Sequence, residues 1–249
     1  MPMESMRCLS RWVLLGLCAL QASCIDGREE YWLAANGSGR AEIHYAIPAV
    51  IARSCGGEAG ISKMLDKFVR ETPTLTNASH QVTCHADRMV VDFNASFQSV
   101  LELIAALRGD SALSAGNCKL AVEPLIGQFE IRQSGSTVEV TRTVSPSKAL
   151  PGFFLMPAAQ FDGKRLVYIL HLPVGAVASN ATRTADSGRT LIWDQTLQEG
   201  LKHNVVIHFK AVLPLPWGKI AGVTVTLGWL GWLGLRAYRR RSVIPNPGV

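Results

Sequence analysis

The sequence is short of charge and holds no compact set of reactive or metal-binding side chains. Of its 249 residues, 18% are charged and 48% are apolar. That balance excludes a disordered chain, which needs low hydrophobicity and high net charge. Cysteine is sparse, with six residues and no C-x2-C spacing, which a structural zinc site would need. The nearest approach to a metal set is Cys84-His85 with His80, and neighbours on a strand point to opposite faces. The six histidines are scattered, and no flanking motif turns a Cys/His pair into nucleophile and base. Ser and Gly meet in hairpin turns here and not in a G-x-S-x-G elbow. The sequence therefore gives no reason to expect an enzyme, a metal or a cofactor.

A surplus of one charge is also missing where it would matter. The net charge is +6, but residues 24–218 carry 18 basic and 18 acidic side chains. A neutral body has no general attraction for a phosphate backbone, so nucleic acid is not an expected partner. The surplus sits at the two ends, where hydrophobic runs sit too.

At the N-terminus, Arg7 and Arg11 precede the apolar run from Trp12 to Leu20. A charged stretch before a short apolar one has the form of a signal peptide, expected over residues 1–23. The run is too short for the roughly 20 residues that cross a bilayer. Leu20-Gln-Ala-Ser-Cys24 then resembles a lipobox, in which cleavage precedes a cysteine that is lipidated. Gln21 departs from the aliphatic residue usual there, and ordinary cleavage around Ala22-Ser23 is the alternative.

At the C-terminus, residues 217–235 form an apolar run, uncharged from Ile220 to Leu235. As a helix it would be about 28 Å long, close to a bilayer core of about 30 Å. Trp217 marks one interface, and Lys219 can snorkel to it. Arg236, Arg239, Arg240 and Arg241 follow at once, in a tail of residues 236–249. Positive flanks stay cytoplasmic, so the expectation is an extracytoplasmic body and a cytoplasmic tail. Gly218, Gly222 and Thr226 share a small-residue face on which two such helices can approach.

Residues 24–212 read as an α+β domain. Residues 28–35 and 40–47 flank the turn Asn36-Gly-Ser-Gly39, and the second run alternates: Ala41, Ile43, Tyr45 and Ile47 against Arg40, Glu42 and His44. Ile61, Met64, Leu65, Phe68 and Val69 then space as the apolar face of a helix over 60–70. A second hairpin turns at Asp87-Arg88, with Val82, Cys84, Val91 and Phe93 inward. After it, Ser99 and Glu102 have capping-box spacing ahead of a helix with Leu101, Ile104, Ala105 and Leu107 as its stripe. A third hairpin spans 128–144, and strands follow at 165–172, 190–193 and 204–212. The order is ββα-ββα-ββ-βββ, which predicts a largely antiparallel sheet of hairpins with two amphipathic helices, plus the membrane helix.

Three cysteines remain in the body, Cys55, Cys84 and Cys118. In an oxidising compartment an odd number suggests one disulfide and one buried thiol, with the pairing open. Asn36, Asn77, Asn94 and Asn180 each begin an N-x-[ST] string, a glycan acceptor only in a eukaryotic secretory setting.

Leu172-Pro-Val-Gly-Ala-Val-Ala-Ser-Asn180, Arg189-Thr-Leu-Ile-Trp-Asp194, the strand ending Phe209-Lys-Ala211, and a membrane helix with a basic tail together resemble the LppM-type bacterial lipoproteins. Cys24 and the early Asn-Gly-Ser-Gly hairpin are similar too. The resemblance implies a lipid-anchored protein of the cell envelope with an α/β domain around an apolar cavity. It implies a lipid or glycolipid ligand for some members and brings no catalytic residues. The expected partners are the lipid bilayer, such a ligand, and an envelope protein; the alternative function is a scaffold of an envelope complex.

Overall fold

The computed structural model describes residues 26–108, 126–149 and 161–212. The expected signal peptide, Cys24, Cys118, Trp217, Lys219, Arg236, Arg239, Arg240 and Arg241 lie outside them. Among the described residues no helix is long and apolar enough to cross a membrane.

The first two hairpin-plus-helix units form where their patterns place them. Strands β1 (Asp26–Leu33) and β2 (Gly39–Pro48) pair antiparallel across the Asn36 turn. Helix α1 (Ala49–Ser54) and helix α2 (Gly57–Glu71) follow, and α2 buries Ile61, Met64 and Phe68. Strands β3 (Leu75–Cys84) and β4 (Arg88–Phe97) make the second hairpin, and helix α3 (Val100–Arg108) closes the unit. The backbone N–H of Glu102 donates to Ser99 Oγ at 3.3 Å, which satisfies one of the free donors at the start of α3.

The rest of the chain builds a second layer and then returns. Strands β5 (Gln128–Ser134) and β6 (Thr137–Val144) form the third hairpin. Helix α4 (Pro146–Ala149) comes next, and β7 (Arg165–His171) follows further on. Strands β8 (Ala176–Ser179), β9 (Arg183–Ala185) and β10 (Thr190–Thr196) precede α5 (Leu197–Lys202) and β11 (Val205–Val212). There are two sheets: one of seven strands, ordered β3-β4-β2-β1-β7-β10-β9, and one of four, ordered β5-β6-β11-β8.

Two expectations about the sheets need correction. The strands divide between two sheets instead of joining one, and the pairing is mixed, because β7 lies parallel to β1. Periodicity fixes which face of a strand is wet but not its neighbour or direction. Here the chain spends β5 and β6 in the second sheet, then re-enters the first beside β1, which frees β7 from hairpin geometry. The short strands β8 and β9 lie at sheet edges and carry too few residues for an alternation to register.

The α3 stripe is also rotated from the expected one. Leu103 and Ile104 are buried and Leu107 packs against Phe97, whereas Leu101 and Ala105 face solvent. Leucines at 101, 103 and 107 allow either phase, and packing against Ala41 and Phe97 selects the second.

One face of the seven-stranded sheet is covered in two parts. Phe68 packs on Phe93 and Ala95, and Leu103 on Ala41 and Phe97, so α2 and α3 cover the β2–β4 side. Val205, Ile207, Phe209 and Ala211 of β11 join Leu166, Tyr168, Leu191 and Trp193 in one cluster, so the four-stranded sheet covers the β7–β10 side.

Asn180 fastens this second interface. Its Oδ1 accepts from Trp193 Nε1 at 2.7 Å and from the His208 backbone N–H at 2.8 Å, and its Nδ2 donates to the Val206 carbonyl at 2.8 Å. Asn180→Ala should lower unfolding free energy by about 1–3 kcal/mol, because the buried Trp193 N–H loses its acceptor. Urea unfolding checks this, with the midpoint falling at an unchanged slope.

Candidate functional site: an apolar cavity with a charged end

Alternation puts Gly27, Glu29, Tyr31 and Leu33 on the covered face of β1. Glu29 stands opposite Ile43 on one side and Tyr168 on the other. It therefore sits in the middle of the sheet, at the seam between the part roofed by helices and the part roofed by the second sheet. Arg142 holds the matching position on β6, on the same face as Val140 and Val144.

The two side chains meet in a bidentate ion pair. Arg142 Nη1 donates to Glu29 Oε2 at 2.6 Å and Nη2 to Oε1 at 3.1 Å. Tyr31 Oη donates to Oε2 at 2.8 Å and Tyr45 Oη to Oε1 at 2.5 Å. Each carboxylate oxygen thus accepts two hydrogen bonds, which uses the four lone-pair sites of the group. Arg142 Nε donates to the Ile126 carbonyl at 2.6 Å, and the guanidinium lies 5.1 Å from the Tyr168 ring centre and 5.4 Å from that of Phe129. The side chains of Arg142 and Glu29 are 8% and 4% exposed, so the pair is buried.

Gly27 makes this arrangement possible. It pairs with Tyr45 across the strands, and a Cβ at Gly27 would come within 2.3 Å of the Tyr45 ring. The bare backbone lets the ring lie across β1 so that its hydroxyl reaches Glu29.

The electrostatics follow from burial and from Glu29. Burial, followed by the negative charge of Glu29, pushes the Tyr31 and Tyr45 phenols well above their usual range. They are donors at any physiological pH. Burial also raises Tyr168, with Glu29 adding to it. For Arg142 burial opposes the charge, but the carboxylate beside it outweighs that penalty and holds the guanidinium protonated.

Next to this pair lies a cavity of about 170 Å³, partly open to solvent. Ile61, Met64 and Phe68 of α2 line it, with Leu103 and Leu107 of α3. Ala41, Ile43, Phe93 and Ala95 form its sheet wall, and Phe129 closes it from the β5 side. Its titratable lining residues are Glu29, Tyr31, Tyr45 and Arg142.

Of these residues the spacing places only Tyr45 on an inward phase, yet a signal for Glu29 and Arg142 is present in the sequence. Gly27-x-Glu29-x-Tyr31-x-Leu33 and Val138-x-Val140-x-Arg142-x-Val144 each put one charge on an otherwise covered phase. One acid and one base on the apolar phases of two strands is a complementary pair.

The residues singled out from sequence lie elsewhere. Cys55 is disulfide-bonded. Cys84 is a free and exposed thiol, contrary to the inward position expected from strand parity. It is the last residue of β3, where the phase still points inward but no covering element reaches. Three of the histidines pair with carboxylates: exposed His44 with Asp92 at 2.6 Å, and part-buried His171 with Glu30 at 2.8 Å and His208 with Glu139 at 3.0 Å. No group of three metal-binding side chains occurs among the described residues.

Glu29→Ala should destabilise the domain by about 3–5 kcal/mol, because it strands a buried guanidinium. Replacing both partners, as Glu29→Leu with Arg142→Met, should cost much less than the sum of the single changes. A double-mutant cycle in urea measures the difference, and additivity would show that the two groups are not coupled.

No protein-family model matches the chain, and no curated protein matches it. Among solved structures, the folded domain of LppM from Mycobacterium tuberculosis, determined by NMR, aligns at a TM-score of 0.47 and 10% identity. The alignment covers 79% of this chain and 94% of that one.

Proposed function

We propose that this is an envelope-associated, membrane-anchored protein whose α+β domain takes up an apolar ligand, such as a lipid chain, in the cavity under α2 and α3. The observation that carries the reading is the cavity. It is bounded almost wholly by apolar side chains, and hydrocarbon surface left facing water there costs about 25 cal/mol per Å². The same molecule packs Trp193, Leu191 and Val205 to 1% exposure or less on its other side, so loose packing is not general. A hydrocarbon guest would take that apolar surface out of water, and a volume of about 150 Å³ is enough for benzene. Its charged residues are engaged with one another, which favours binding over catalysis.

The test is native mass spectrometry of the full chain after gentle extraction, with uptake of a fluorescent fatty acid measured in parallel. A bound apolar mass or saturable uptake is expected. Ala95→Leu, which fills the cavity from the sheet wall, should abolish uptake without lowering the melting temperature. A clean apo mass with no uptake sinks the reading.

Anchoring is proposed from the sequence ends: a lipid on Cys24, and a helix over residues 217–235 held by Trp217, Lys219 and the four arginines. Cys24→Ala should abolish fatty-acid labelling and leave the protein in the membrane. Truncation after Leu213 should leave a labelled protein still membrane-bound. If that truncation alone releases it, Cys24 carries no lipid.

A further inference from the structure

The buried ion pair, with the Glu29 carboxylate filled, determines which part of a ligand the cavity can take. We infer that the cavity binds a short run of alkyl chain and does not discriminate among head groups, which stay outside. This rests on the proposal that the cavity takes an apolar ligand, and it specifies the ligand's chemistry and orientation.

The four acceptor sites of Glu29 are filled by Tyr31, Tyr45 and two N–H groups of Arg142. An anionic head group brought against Arg142 would also lie against the Glu29 carboxylate, so the buried pair offers it no net charge. A cationic head group would have to displace Arg142 from Glu29, which strands a buried guanidinium and costs about a hundredfold in affinity at the least. A neutral hydroxyl finds no open lone pair on Glu29. The phenol oxygens keep a lone pair each, too little to hold a charged group away from water.

The other walls favour hydrocarbon. Ile61, Met64, Phe68, Phe93 and Leu103 offer no polar side-chain atom except the Met64 sulfur. The volume fits about six carbons, since ~150 Å³ holds benzene. A full acyl chain therefore enters by its end only. Binding should strengthen by about fourfold for each methylene until the cavity is full, then level off.

The experiment uses the full chain in lipid nanodiscs and photoreactive octyl probes. Each probe carries a diazirine at the chain end, and the head group is carboxylate, phosphate, hydroxyl or trimethylammonium. Labelling is mapped by mass spectrometry to Gly57–Glu71 and Val100–Arg108 and corrected for partition into empty discs. The expected result is half-saturating concentrations within about threefold of one another across the four heads. A butyl-to-dodecyl hydroxyl series should rise and then level off. A preference above tenfold for one charge sign overturns the inference, as does labelling that shifts to peptides outside the cavity. If no probe of any head group labels these peptides, the cavity takes no apolar ligand, and the underlying proposal falls with the inference.

Discussion

The ion pair between Glu29 and Arg142 is the constraint on which the rest of the molecule is arranged. Charge removed from water is tolerated only when it is paired and its remaining donors and acceptors are filled. Here that requirement recruits residues from four strands: Glu29 and Tyr31 of β1, Tyr45 of β2, Arg142 of β6, and Tyr168 of β7 beside the guanidinium. The Ile126 carbonyl completes the set. Moving β6 by one residue would carry Arg142 to the opposite face and abolish every one of its contacts. The pair therefore fixes where the second sheet sits on the first, and through Tyr45 it dictates a glycine at position 27.

This placement divides the covered face into two regions with different packing. On the β7–β10 side, the four-stranded sheet presses Val205, Phe209 and Ala211 onto Leu191 and Trp193. Asn180 pins that contact by hydrogen bonds to both layers. On the β2–β4 side the covering elements are helices, and helix α3 is only nine residues long. A well-packed region that holds the fold together allows the neighbouring region to keep a void, since the stability lost at a cavity must be made up elsewhere.

Much of this was legible in the sequence, and the parts that were not share a cause. The alternation of Ala41, Ile43, Tyr45 and Ile47 and the spacing of Ile61, Met64 and Phe68 are local, and both place the elements and their buried faces correctly. The fold class is α+β, and the first two hairpin-plus-helix units are present. The parallel neighbour of β1, the split into two sheets and the phase of α3 depend on residues far apart in the chain, which periodicity does not report. The site was hidden for the same reason. Glu29 and Arg142 lie 113 positions apart, and each alone looks like a polar residue on a strand. The charge on the covered phase is the local trace, and it becomes informative only when two such traces of opposite sign are considered together.

A charged pair is an expensive way to end an apolar cavity, which says what it supplies. Replacing a buried ion pair by well-packed hydrophobic residues is often neutral or stabilising, by about 1–4 kcal/mol. Stability alone therefore does not account for Glu29 and Arg142. A hydrophobic wall at this position would merge the cavity with the core behind it, where Tyr168, Leu166 and Val144 are packed. A guest chain could then trade contacts with the core and wedge the sheets apart. The ion pair would present such a chain with a polar surface on which hydrocarbon gains little, because there is little apolar area there to remove from water. Under the proposed function, the pair sets the depth to which a chain can enter beneath α2 and α3 and closes the core behind it.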